Sequence, residues 1–485
     1  LSLDSEVLRA SLNSKNSAKL SARGNNIEME LPNENGVAEI FLLSPVPVLS
    51  SELAKKFPEI KTYSGRSKTR PKVTVRVSYT PLGVNAWMRF PDGLNRFIQP
   101  LDNKRNYLSY SRTDANAAGS FQCKTPLDDN WTNAEKSMRQ GGNFRTSDSE
   151  IKTFRLAIST SGGYTEYWGD DDPSNGTNKE DAFAAAVSTI NRVNEIFESE
   201  LGVRLELVSS LELIYTDPDS DPYTDDFSSD LQTNLDEVFG SENYDIGHLF
   251  AYSSTNGNGN AGSVGNVCLE SKKGSAFSAH PFEGSFNDPF LSDHFDIDYV
   301  AHEMGHQFGA YHTFGHENEL EGLSSEPGSG STIMGYAGIT GPDNVQRHSD
   351  PYFHYHSLKN IDDYIQNQTC YTSVTNENQA PEVSAGSDYT LPIGTAYELK
   401  ATASDPDEST LYYCWEQLDS GEVGANNFGP NFHLGSQARS LPPTDSPIRT
   451  IPRMAAVLEG KLTETNPTVG SNWETVSTVD RTLTW

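Results

Sequence analysis

Residues 302–312 read His302-Glu303-Met304-Gly305-His306-Gln307-Phe308-Gly309-Ala310-Tyr311-His312, placing three imidazoles and a carboxylate at spacings that suit metal chemistry. On a helix, positions four apart lie on one face, so His302 and His306 can offer nitrogen to a single ion. At about 100° per residue, Ile297, Val300, Ala301, Met304 and Phe308 form an apolar stripe, and His302, Glu303 and His306 project roughly opposite. Such a helix faces a core and a cleft at once. His312 cannot reach the same centre from a straight continuation, so the chain must turn. Gly309 permits the turn, because glycine takes positive φ without steric cost. Three protein ligands leave a fourth position for water, the layout of catalytic rather than structural zinc. Zinc so held lowers the pKa of its water toward roughly 7 and polarises a peptide carbonyl. Glu303 is then placed to act as general base and afterwards as general acid. The alternative, histidines gathered by chance on a core or surface helix, has to account for all these positions together.

With those residues the sequence resembles the metzincin zinc peptidases, whose motif matches at His302, Glu303, His306, Gly309 and His312. Ser331-Thr332-Ile333-Met334-Gly335-Tyr336 looks like their methionine turn, with Met334 beneath the metal. Within the class the likeness is to reprolysins (adamalysins), particularly bacterial reprolysin-like peptidases. Gly262–Cys268 is similar to their Gly-rich strand ending in cysteine, and Ile361–Cys370 to their closing helix and cysteine. The resemblance covers about residues 151–374. It implies an α+β domain with a twisted mixed sheet, a secreted endopeptidase acting on proteins or peptides, and a Cys268–Cys370 disulfide. It also implies that Tyr244–Tyr252 is the edge strand that pairs antiparallel with extended substrate, the alternative being an ordinary interior strand. Two positions depart from the pattern. Thr313 stands where reprolysins usually carry Asp, and Tyr336 follows Met334 by two, as in astacins and serralysins, where that tyrosine approaches the metal. Tyr336 either supports the oxyanion or packs within the turn.

The elements around this motif predict a multidomain chain. Val73, Val75, Val77 and Tyr79 alternate, as do Val84, Ala86, Met88 and Phe90 before the turn-like Pro91-Asp92-Gly93, so residues 1–115 read as a β-rich domain. Residues 116–150 are polar, with Gly141-Gly142 and the basic Arg139 and Arg145, and read as a linker. The central domain, 151–374, opens with a strand over 154–159. A helix over 181–200 follows, started by the capping box Thr177-x-x-Glu180 and stopped by Gly202. A strand over 203–208 and a helix near 231–239 come next, and this mixture suggests α+β. Residues 375–485, with alternating Tyr397, Leu399, Leu411, Tyr413 and Trp415, predict a β-sandwich of immunoglobulin, PKD or cadherin-like type. Trp415 is expected in its core, and the last strand looks interrupted at Trp485.

Charge sorts the chain further. Its 36 basic and 67 acidic residues give −31, which argues against nucleic acid or anionic membrane as partner. Residues 1–150 hold 21 basic and 16 acidic residues, a surplus of +5, which leaves −36 for the rest. No apolar run is long enough to span a membrane. Four cysteines suit one bridge in a secreted enzyme, and the non-initiator Leu1 suggests a targeting segment already removed.

Metzincin zymogens often block zinc with a cysteine, the β-rich front domain resembles reprolysin-type prodomains, and Phe121-Gln122-Cys123-Lys124 lies just upstream of the linker. The resemblance implies that residues 1 to about 145 are an inhibitory propeptide and that Cys123 takes the fourth zinc position. An activating protease would then cut near Arg139 or Arg145. The surroundings usual for such a switch are absent, and a Cys123–Cys414 bridge or an inert buried thiol are the alternatives. Asp170-Asp171-Asp172, Asp217–Asp226 and Asp405-Pro406-Asp407 offer hard oxygens for Ca²⁺ or are solvated loops. His248 reads as structural and His316 as an exposed loop residue. His348, His354 and His356 are either a second metal set or unrelated. The rival functions are an adhesin with an inert peptidase domain and a zinc hydrolase of non-peptide substrates. The intact motif weighs against the first, and the edge strand and methionine turn against the second.

Overall fold

In a computed structural model of the chain, residues 27–101, 106–112, 121–126, 150–224, 226–254, 257–283, 289–317, 319–320, 322–376, 378–407 and 411–485 are described. Arg139 and Arg145 lie outside them.

The alternation at 73–90 produces two neighbouring strands of a seven-stranded antiparallel meander. It runs β1 (Ile27–Pro32), β2 (Ala38–Pro45), β3 (Lys61–Ser67), β4 (Thr74–Thr80), β5 (Gly83–Arg89), β6 (Asn95–Pro100) and β7 (Tyr107–Ser111), paired in chain order. Val75 faces Met88 and Val77 faces Ala86 across β4 and β5, and Gly93 N–H donates to Phe90 O at 3.0 Å to close the turn between β5 and β6. One face buries Phe41, Leu43, Val75, Val77 and Met88 in the unit's own core. The strand period of two then turns Trp87 and Phe97 to the other face. Both are buried in the core of the central unit, together with Val48, Leu53, Phe57 and Ile60 around helix α1 (Ser51–Lys56). Burying each such side chain contributes roughly 1.5–3 kcal/mol. The two units therefore meet through a shared core.

The central sheet is built on β8 (Glu150–Thr160). It pairs parallel with β9 (Val203–Leu207) and β10 (Ile246–Tyr252), and antiparallel with β13 (Thr372–Thr375). Beyond β10 come β12 (Ala276–His280), parallel, and then the short antiparallel β11 (Asn258–Asn260) at the edge. The expected edge strand at 244–252 is thus an interior strand. Its run Ile246-Gly247-His248-Leu249-Phe250-Ala251 is buried on both faces, as a parallel strand between two neighbours must be. Residues 262–268, expected as a strand, are a loop.

Helix α2 (Gly162–Trp168) and the long helix α3 (Asn178–Leu201) follow β8. The Thr177–Glu180 capping box forms in both directions, and Gly202 ends α3 in the left-handed conformation at φ 63°. Polar contacts fasten α3 to the N-terminal sheet. Arg76 Nε donates to Asn191 Oδ1 at 2.8 Å and the guanidinium lies 3.3 Å from Glu198, while Asn191 Nδ2 donates to Val77 O at 3.0 Å. After α4 (Phe227–Asn234) comes the motif helix α5. It is α-helical over Ser292–His294, π-helical over Phe295–Ala301 and α-helical again over His302–Gln307. Arg192 pairs with Asp296 at 2.6 Å, binding α3 to α5 inside the core. Helix α6 (Tyr355–Ile365) closes the unit.

The β-sandwich expected over 375–485 does not assemble among the described residues. Two two-stranded sheets form instead, β14 (Glu382–Ser384) with β16 (Thr402–Ser404) and β15 (Tyr397–Lys400) with β17 (Ile448–Ile451), followed by helix α7 (Met454–Leu458). The rest winds irregularly over the central unit, where Val423, Ala425, Phe428 and Trp473 bury against Val345. Trp473, not Trp415, is the fully buried tryptophan here. Proline and glycine punctuate 429–447, so ladders are short and the apolar residues find cover on a neighbouring unit rather than on a facing sheet.

Cys268 and Cys370 are joined as expected, closing a sequence separation of 102 residues. Cys123 and Cys414 are free thiols. Replacing Cys370 by Ser should lower unfolding free energy by about 2–5 kcal/mol. Urea titration of wild type and variant measures it, and an unchanged midpoint would show the bridge to be dispensable.

Candidate active site

The π-helical stretch ends at His302, where the α register resumes and sets His302 and His306 four apart on one face. Gly309 then turns the chain at φ 101°, with Ala310 N–H donating to Gly305 O at 2.9 Å, and His312 comes back beside the helix. Its Nε2 lies 3.0 Å from His306 Nε2 and 3.3 Å from His302 Nε2. Nitrogen ligands of a tetrahedral zinc at 2.0–2.1 Å stand roughly 3.3 Å apart, so the three atoms fit the ion.

Each ring is aimed from its far nitrogen. His302 Nδ1 bonds Ile333 O, His306 Nδ1 bonds Ala310 O and His312 Nδ1 bonds Glu319 Oε2, all at 2.7 Å. Two carbonyls and a carboxylate are acceptors, so Nδ1 carries the proton and Nε2 keeps its lone pair. Burial, and next the neighbouring His312 ring, push His302 down to about 3, and burial likewise holds His306 well below the usual range. They are neutral imidazoles, as ligands must be.

The methionine turn lies directly beneath. A Cβ at Gly305 would come within 2.7 Å of Met334 Sδ, so only glycine lets the turn approach the helix. The departure at Thr313 has a local explanation. Thr313 Oγ1 donates to Glu326 Oε2 at 2.6 Å, and Glu326 also accepts from Thr332 Oγ1 at 2.5 Å and Ser331 N–H at 2.8 Å. The buried Glu326 carboxylate joins the third-histidine loop to the turn.

Glu303 lies fully buried beside the triad. Its Oε2 accepts from Thr125 Oγ1 at 2.8 Å, its Oε1 has no protein partner, and burial pushes the carboxyl up to about 8. A Cβ on Gly259 would collide with Oε1 at 2.2 Å, so glycine allows edge strand β11 to pass against the carboxylate. Cys123 completes the cluster. Its Sγ is 3.5 Å from His306 Nε2 and 3.8 Å from Glu303 Oε2, and Cys123, His302, His306 and His312 each place a ligating atom within 4.8 Å of the others. Burial and then Glu303 push the thiol well up, so thiolate there requires a neighbouring cation.

The segment around Cys123 is held as an added strand on β11. Gly259 N–H donates to Gln122 O at 3.0 Å, Lys124 N–H donates to Gly259 O at 2.8 Å, and Cys123 bridges Gly259 in the parallel sense. Thr125 also accepts from Ala261 N–H at 2.8 Å, and Phe121 packs on Tyr299 with centroids 4.4 Å apart.

Residues 150–363 match the family model for metallo-peptidase family M12B, reprolysin-like. Over that stretch it is similar to the reprolysin-like peptidases, and the chain is a zinc metalloendopeptidase. No curated protein matches it.

Within the peptidase, Tyr336 packs between His312 and Phe314, with centroids 4.6 and 4.5 Å away. Burial, then the Cys123 sulfur, keep its hydroxyl protonated. His248 bonds Gln307 Oε1 at 2.9 Å and Ser278 Oγ at 3.0 Å, a structural histidine, and His316, half-buried rather than exposed, packs at a tilt against Phe314 outside the metal cluster. His354 caps α6 beside His356, whereas His348 lies with His294 and Asp298. The acidic loops considered for calcium keep their carboxylates in local turns, such as Asp172 N–H to Asp170 Oδ1 at 2.9 Å and Asp407 N–H to Asp405 Oδ1 at 2.8 Å. Glu319, Glu326, Thr125 and Gly259 were not singled out from sequence. No fixed spacing links them to the motif, because loops bring them in.

Removing the carboxylate that orients the third ligand should weaken metal binding about 10- to 100-fold. Chelator competition against Glu319→Ala measures it, and unchanged affinity would show that His312 needs no such support.

Proposed function

We infer that His302, His306 and His312 hold the zinc of this peptidase and that Glu303 is its general base. The supporting observation is the convergence of three Nε2 atoms beside a buried carboxylate oxygen. Zinc held there would supply a Lewis acid for the scissile carbonyl and lower the pKa of a water. Glu303, whose Oε1 has no protein partner, would take the proton of the attacking water and pass it to the leaving amine. Tyr336, protonated and adjacent to the triad, is placed to donate to the developing oxyanion.

The uncut chain is a latent zymogen, with residues 1 to about 145 as its propeptide and Cys123 as fourth ligand. A tetrahedral zinc with a thiolate at about 2.3 Å sets sulfur roughly 3.5 Å from each nitrogen, in keeping with the 3.5 Å from Cys123 to His306. The Cys123 segment also occupies the β11 edge where extended substrate would pair. It runs parallel to β11, whereas substrate in the resembling families runs antiparallel, so no inhibitor bond lies in the cleavable direction. Its hydroxyl at Thr125 meanwhile engages the base. Activation follows from a cut near Arg139 or Arg145, and secretion accords with the Cys268–Cys370 bridge.

Glu303→Gln should retain zinc and slow peptide cleavage by about 10²- to 10⁴-fold in activated protein. Cys123→Ala should raise activity in the uncut chain. Quenched-peptide assays with zinc quantified alongside decide both, and full activity of uncut wild type would end the latency reading.

A further inference from the structure

A second group of ligating side chains joins His294 and Asp298, on the helix upstream of His302, to His348 from the loop beyond the methionine turn. His294, Asp298 and His348 each place one ligating atom within 4.8 Å of the others. The two imidazoles meet edge to face with centroids 4.8 Å apart. Asp298 Oδ1 accepts from Ser349 N–H at 2.7 Å, while Oδ2 accepts from Arg112 Nη2. Arg112 Nη1 also bonds Asp293 Oδ2 at 3.0 Å and Asp293 O at 3.1 Å. Tyr110 adds a bond to Asp293 Oδ1 at 2.6 Å.

The ownership of these groups is unequal. Arg112 and Tyr110 follow from β7 in the N-terminal unit, and the carboxylates and histidines belong to the peptidase. The three charged side chains of the ion pairs are almost wholly buried, at 7% exposure for Arg112 and Asp298 and 3% for Asp293. If the N-terminal unit leaves, Asp298 and Asp293 lose their shared cation while two imidazoles stay beside Asp298. A buried carboxylate stripped of its partner is strongly unfavourable, so a replacement cation is favoured there. Two imidazoles and one carboxylate form a donor set that suits zinc and similar divalent transition metals.

We propose that His294, Asp298 and His348 form a second divalent-metal site, which the Arg112 guanidinium fills in the uncut chain and vacates when the N-terminal unit departs. The sequence of events rests on the latency reading, while the site itself does not. Asp298 lies four residues before His302, so metal there takes over from Arg112 in anchoring the helix that carries the zinc ligands.

Metal titration of the full-length chain tests the site without any cleavage. Metal-free wild type titrated with Co²⁺ should bind one equivalent, with thiolate charge-transfer absorption from Cys123. Arg112→Ala should bind a second equivalent, adding only d–d bands, and binding at least tenfold tighter than in Arg112→Ala with His348→Ala. Arg112→Met, which keeps the packing of the stem, serves if the alanine variant unfolds by circular dichroism. A single equivalent in both folded Arg112 variants overturns the proposal, as does a second equivalent that survives loss of His348. If uncut wild type proves active, the latency reading fails, and the count of bound Co²⁺ in the Arg112 variants still decides the site.

Discussion

Three imidazole nitrogens that converge, with His312 Nε2 3.0 and 3.3 Å from the other two, do not attract one another, so the arrangement persists only where the surrounding protein imposes it. Each ring is restrained at Nδ1 by a different part of the chain: the methionine turn for His302, the post-helix turn for His306, the 319 loop for His312. Those supports impose further demands. Gly305 must lack a side chain for Met334 to approach, and Gly309 must take positive φ for the return of His312. Glu326 must be buried and multiply bonded for the third-histidine loop and the turn to stay in register. The architecture of residues 292–353 follows from holding three nitrogen atoms in place.

The polar contacts between the units follow the division of charge. The N-terminal unit sends Arg76 to Glu195 and Glu198, and Arg112 to Asp293 and Asp298, matching its positive surplus to the acidic remainder. Some of these cations are buried, so their partners could not easily tolerate their loss. The apolar part of the interface is equally intimate, since Trp87 and Phe97 sit in the peptidase core with helix α3. Occupation of the cleft by Cys123 is therefore backed by a broad contact far from the metal.

The C-terminal residues extend this bracing. Val423 exchanges backbone bonds with Gly315 and Gly328, Ser440 accepts from Ser331, and Glu416 accepts from the first turn of α6. Lys72 pairs with Asp445 at 2.6 Å across to the N-terminal sheet. These residues thus touch both the loops behind the methionine turn and the unit that covers the cleft.

The sequence by itself determined what local chemistry could decide. The ligand spacing, the Gly309 turn, the capping box and αL stop of α3, and the alternating β4 and β5 are all read from neighbouring residues whose backbone and periodicity constraints are short-range. The Cys268–Cys370 pair came with the family resemblance. Only the tertiary structure decided which strand is the edge, because an apolar run like 246–251 fits either an interior strand or a buried edge until its neighbours are known. The same holds for the C-terminal region, where alternating Tyr397 and Leu399 left open whether a second sheet or an adjoining unit would cover them. Thr125, Glu319 and Glu326 reach the site from loops, and Arg112 reaches Asp298 from another unit. Such contacts are set by how distant surfaces pack, for which no spacing along the chain is a guide.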